Sequence, residues 1–107
     1  MSLDVDLVVM QPYSVFTSNI THNLGPMAKQ AGIYLHLWRP DELGLTKARE
    51  LIEPLRLGLA LLEQDPTGYR AYNPANGWGS YEGLVNFVRE YLKACEAHPD
   101  AELSVSR

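Results

Sequence analysis

The sequence predicts an α+β fold, with three to four helices packed on a small sheet that pairs the N-terminal and C-terminal strands. Three patterns carry this expectation. At the start, Leu3, Val5, Leu7 and Val9 alternate with Asp4 and Asp6, the period of a strand covered on one face. Ala101 to Arg107 alternates again, and a lone strand there needs a partner, which the first strand can supply. In between, apolar residues recur at steps of three and four, the spacing of helices with a buried stripe.

The first strand is expected over Leu3 to Met10, with Val8 and Met10 hinting at cover on the second face of its far half. Pro12 cannot donate to a ladder, and Tyr13 to Thr17 is β-prone again. This reads as one long bent edge strand or two strands meeting near Gln11-Pro12. Asn19, Thr21 and Asn23 are all good helix caps. Pro26 selects Asn23, because proline is tolerated only in a first turn, and Gly32 ends a short helix over Leu24 to Ala31. Ile33 to Trp38 is apolar apart from His36 and fits a strand or a packed irregular segment.

From Thr46 to Gln64 the helical register runs through Pro54, predicting one kinked helix with Ala48, Ile52, Leu55, Leu59 and Leu62 inward. Leu45, Leu51, Leu57 and Leu61 widen that stripe, so this is the expected central core helix. Asp65-Pro66 opens a short helix to about Tyr72. Ser80 caps the last one, which buries Leu84, Val88, Tyr91, Leu92 and Cys95. Such a sheet leaves edges, and an exposed edge invites a twofold partner, so a homodimer is expected there.

At 107 residues the chain has room for a single domain, 1–107, with a modest core. A net charge of −4 argues against a nucleic-acid groove, which would want excess Lys and Arg. The start lacks a basic segment followed by an apolar one, and no apolar run is long enough to span a bilayer. A cytoplasmic protein without a membrane partner is the expectation. Cys95 is the only cysteine and fits a buried, inert thiol. His22, His36 and His98 are scattered without metal-ligand spacing, and no phosphate loop or dinucleotide fingerprint occurs, so neither metal nor cofactor is expected.

Two stretches stand out as a candidate ligand site. Ser18 to Asn23 is rich in short polar side chains and sits where a strand gives way to a helix. The unpaired N–H groups of a helix start favour anions there. Asn73 to Tyr81 is polar and aromatic, with a glycine on each side of Trp78. Asn19, Thr21, His22 and Asn23, with Trp78 and Tyr81 as a wall, are the predicted ligand-binding residues, and Arg39 is an optional anion contact. The plainer alternatives are that Asn and Thr cap the helix, that Trp78 plugs the core, and that Arg39 pairs with Asp41 or Glu42.

Asn19-Ile20-Thr21-His22-Asn23-Leu24, Ala31-Gly32-Ile33-Tyr34, Leu37-Trp38-Arg39-Pro40 and Asn76-Gly77-Trp78-Gly79-Ser80-Tyr81-Glu82 together resemble a family of small proteins of this length from bacteriophage and bacterial genomes. No activity is established for that family, so the resemblance implies an intracellular accessory role and transfers no functional residue. The favoured reading is a non-catalytic binding or interaction module for a polar or anionic small molecule or a partner's polar loop. One alternative is a small hydrolase or transferase on a nucleotide-like substrate, with His22 as acid-base. A purely structural homodimer is the other.

Overall fold

The computed structural model describes residues 2–10 and 13–107. Strands β1 (Ser2–Met10), β2 (Tyr13–Thr21) and β3 (Glu102–Ser106) form an antiparallel sheet in the order β2-β1-β3. Five α-helices pack against it: α1 (Gly25–Gln30), α2 (Tyr34–Trp38), α3 (Ile52–Gln64), α4 (Pro66–Arg70) and α5 (Tyr81–Ala97). The expected α+β architecture is present, and the two terminal strands do pair. Val5 lies opposite Val105 and Leu7 opposite Leu103. β1 is therefore the central strand, flanked on its other side by β2; Gln11-Pro12, between them, lies outside the described residues.

The period-two alternation sorts the sheet's two faces. Leu3, Val5 and Leu7 are fully buried, joined by Ile20 and the half-buried Phe16 and Val105. The other face is polar: Asp4 stands opposite Asn19 and Ser106, and Asp6 opposite Thr17 and Ser104. Thr17 Oγ1 donates to Asp6 at 2.8 Å and Ser14 Oγ at 3.2 Å. Beyond Leu7 the register to β2 shifts, so Val9, expected on the buried face, is 57% exposed while Val8 is covered. A bulge reverses the side on which later residues emerge.

Helix α5 is the main support. Its eight buried residues, from Tyr81 to Cys95, face both the sheet and α3. Phe16 of β2 stacks on Tyr91 at 5.8 Å between ring centres. Ion pairs Arg56–Glu96 and Glu63–Arg89, each at 3.0 Å, show that α3 and α5 run antiparallel. These pairs are exposed, worth at most about 1 kcal/mol each. Burying a leucine such as Leu55, Leu62 or Leu84 is worth about 1.5–3 kcal/mol, so the apolar seam dominates.

Several local expectations are corrected. α1 begins at Gly25, within a residue of the expected Leu24, but its lead-in differs: β2 runs to Thr21, whose Oγ1 caps a 3-10 turn at His22–Leu24 by accepting from the Asn23 N–H at 3.3 Å. α1 follows with Pro26 in its first turn. Ile33 to Trp38 is neither strand nor irregular but contains α2. Leu37 N–H donates to the Ile33 carbonyl at 3.0 Å, and burial of Ile33, Leu37 and Trp38 follows helical spacing. The kinked helix expected from Thr46 is instead an extended strap at 45–47, a 3-10 turn (Ala48–Leu51) and α3. Pro54 then falls in the first turn of α3, where no kink is required. Leu57 and Leu61, placed in the core stripe by periodicity, are 64% and 45% exposed.

The strap closes the far side of β3. Leu103 N–H donates to the Thr46 carbonyl at 2.9 Å, and Ala48 N–H to the Ala101 carbonyl at 2.9 Å. Glu50 accepts from the Thr46 and Lys47 amides at 3.0 Å each, and these bonds hold its carboxyl below the usual range.

At Gly58, α3 packs tightly against Ile33, just before α2. A Cβ there would sit 2.4 Å from Ile33 Cγ2 and 3.0 Å from its Cδ1. Gly58→Ala is predicted to cost about 1–3 kcal/mol by overpacking in urea denaturation. In an Ile33→Ala background the same change should become neutral or stabilising, because alanine is the better helix former.

Candidate functional site

The two stretches singled out by sequence meet in space, through backbone and amide groups. Asn23 Nδ2 donates to the Trp78 carbonyl at 3.3 Å. Gly79, at φ +113°, presses against the first stretch, where a Cβ would lie 2.7 Å from Thr21 Cγ2 and 3.1 Å from Leu24 Cγ. Glycine is needed there both for its backbone angle and for the approach.

The second loop is held by its own short polar side chains. Asn76 Oδ1 accepts from the Trp78 N–H at 2.9 Å, and Asn73 Oδ1 from the Tyr81 N–H at 2.8 Å. Ser80 Oγ accepts from the Gly83 N–H at 3.1 Å, capping α5 as expected. With its backbone so fixed, the loop presents Trp78 outward, and that residue is 70% exposed rather than plugging the core.

The other predicted site residues are dispersed around this junction. Asn19 is exposed on β2 opposite Asp4. Thr21 is committed to its cap. His22 is half-buried, its ring edge-on to Trp38 at 6.1 Å, and its Nε2 is covered without a hydrogen-bond partner. Tyr81 turns away from Trp78: its hydroxyl donates to the Leu62 carbonyl at 2.6 Å, and its ring lies near Tyr69 and under the Arg70 guanidinium. Arg39 pairs with Glu42 at 2.9 Å on the surface. The adjoining Trp38 carbonyl accepts from Arg107, which also binds Asp41.

Among the described residues no carboxylate hydrogen-bonds to His22, and no three His, Cys, Asp or Glu side chains are grouped as metal ligands would be. Burial lowers the pKa of His36, partly offset by the Gly32 backbone, so the neutral imidazole is favoured there. On α5, burial drives the Tyr91 phenol far above its usual range and pushes the Cys95 thiol up to about 12. Sequence reading missed the exposed leucines Leu35, Leu43, Leu57 and Leu61. The signal present was a leucine stripe on α3 too broad for one neighbour to cover.

No protein-family model, curated protein or solved structure matches the chain.

Two measurements check the local chemistry. Tyr81→Phe should lower stability by about 1–2 kcal/mol, because the Leu62 carbonyl loses its buried donor; an unchanged denaturation midpoint would contradict that role. Cys95 should resist a thiol-exchange reagent in the native protein at pH 8 and react promptly once unfolded, since the thiolate is scarce and covered.

Proposed function

We propose that the protein is a non-catalytic binding module whose contact surface centres on Trp78, with Asn23 at its base. The observation that supports this reading most directly is an indole 70% exposed on a loop whose backbone is already fixed by Asn73, Asn76 and Asn23. Exposing a tryptophan forgoes the gain from burying it, and a rigid loop loses little entropy on binding. Rigid, amphipathic tryptophans are favoured contact anchors. Asn23 uses one of its amide hydrogens on the Trp78 carbonyl and retains further hydrogen-bonding capacity. The ligand this suits is a polar or anionic small molecule with a flat face for the indole.

The enzyme reading, with His22 as acid-base on a nucleotide-like substrate, has less support. A catalytic imidazole needs an orienting partner and an open nitrogen, and Nε2 of His22 is covered. A cytoplasmic setting and an accessory role during infection accord with the motif resemblance, and they add a place rather than a chemistry.

A thermal-shift screen of nucleotides, sugars and metabolites tests the module, because a specific ligand raises the melting temperature by mass action. Trp78→Ala should leave stability within about 0.5 kcal/mol while abolishing the shift, and bound ligand should shield Trp78 from iodide quenching. A ligand whose shift survives Trp78→Ala would overturn this placement of the site.

A further inference from the structure

A second surface is built differently from the Trp78 junction. Leu35, Leu43, Leu57 and Leu61 are each 40–64% exposed, around two adjoining hollows of about 440 and 380 Å³. Leu35 and Leu43 line the first hollow, and Leu57 and Leu61 the second. Gly32 and His36 line both and form the ridge between them. At Gly32 the backbone is open, with nothing within 4 Å of where a Cβ would be, so another chain can come close.

We propose that a second copy of this chain covers this face, related by a twofold axis that lies in the face along the Gly32–His36 ridge. Such an axis sets each copy's first hollow against the other's second, so Leu57 and Leu61 of one protomer meet Leu35 and Leu43 of its partner. The charges are complementary under the same operation. Lys29 lines the first hollow, over the Tyr34 ring at 4.7 Å and with no carboxylate partner among the described residues. Glu53 lines the second, and its intrachain partner Arg56 also holds Glu96. The twofold brings Lys29 of each copy towards Glu53 of the other, an isologous arrangement.

Edge geometry points the same way. This face supplies the apolar centre that a dimer interface needs. The sheet edges supply less: the strap already bonds to β3, and the described outward residues of β2 are mainly Ser, Thr and Asn.

Sedimentation of the full chain over a concentration series tests the proposal, with circular-dichroism melts confirming that each variant folds. The wild-type chain should dimerise, and Leu57→Asp should raise the dissociation constant at least a hundredfold. Lys29→Glu and Glu53→Lys should each weaken the dimer about tenfold, and the double variant should return to within about threefold of wild type. A chain monomeric up to millimolar concentration overturns the proposal, as does a dimer indifferent to Leu57→Asp, which would instead implicate the β2 edge. A dimer broken by Leu57→Asp but not rescued by the double charge swap overturns the twofold pairing.

Discussion

Helix α5 is apolar around more of its circumference than one neighbour can cover, and the rest of the fold answers that need. Its residues from Tyr81 to Cys95 require a sheet on one side and α3 on another. The sheet can serve only if one of its faces is continuously apolar, which the alternation in β1 and β3 provides. α3 can serve only if it runs antiparallel, which brings Arg56 to Glu96 and Glu63 to Arg89. The ion pairs fix direction cheaply, while the leucine seam between the helices carries most of the free energy.

The junction at Asn23 and Trp78 shows polar side chains spent on backbone. Asn73, Asn76 and Ser80 each satisfy an amide near the start of α5, and Asn23 satisfies a carbonyl across the chain. A loop with so many internal bonds has few alternatives open to it, so it can display a large aromatic ring without collapsing over it. The abundance of Asn and Ser that marks these stretches is thus mainly architectural, and the exposed indole is what architecture alone leaves unexplained.

The elements set by local chemistry were legible in the sequence. Alternation located β1 and β3, Ser80 located the start of α5, and Asp65-Pro66 located α4, with Asp65 accepting from Gly68 N–H as a cap should. What failed depended on distant partners. Thr21, not Asn23, became the cap because pairing of Ile20 with Leu3 carries β2 that far. The helical form of Ile33 to Trp38 is decided by which of its residues find cover, and a run apolar but for His36 does not encode that. For the candidate site, sequence singled out two stretches that do meet in space. It set Tyr81 beside Trp78, whereas the buried Tyr81 hydroxyl serves α3, and it put Leu57 and Leu61 in the core because periodicity cannot tell a core stripe from an exposed one.

The order β2-β1-β3 also sets the sequence in which the sheet can assemble. β1 and β2 are neighbours along the chain and can zip locally, whereas Val5 and Val105 stand a hundred positions apart. Closing so long a loop is entropically costly until the helices between have condensed, which makes the β1–β3 ladder a late event. During synthesis the middle strand therefore waits with one side unpaired until residues 102–106 have left the ribosome. The aspartates at 4 and 6 are well placed to keep that unfinished rim soluble in the interval.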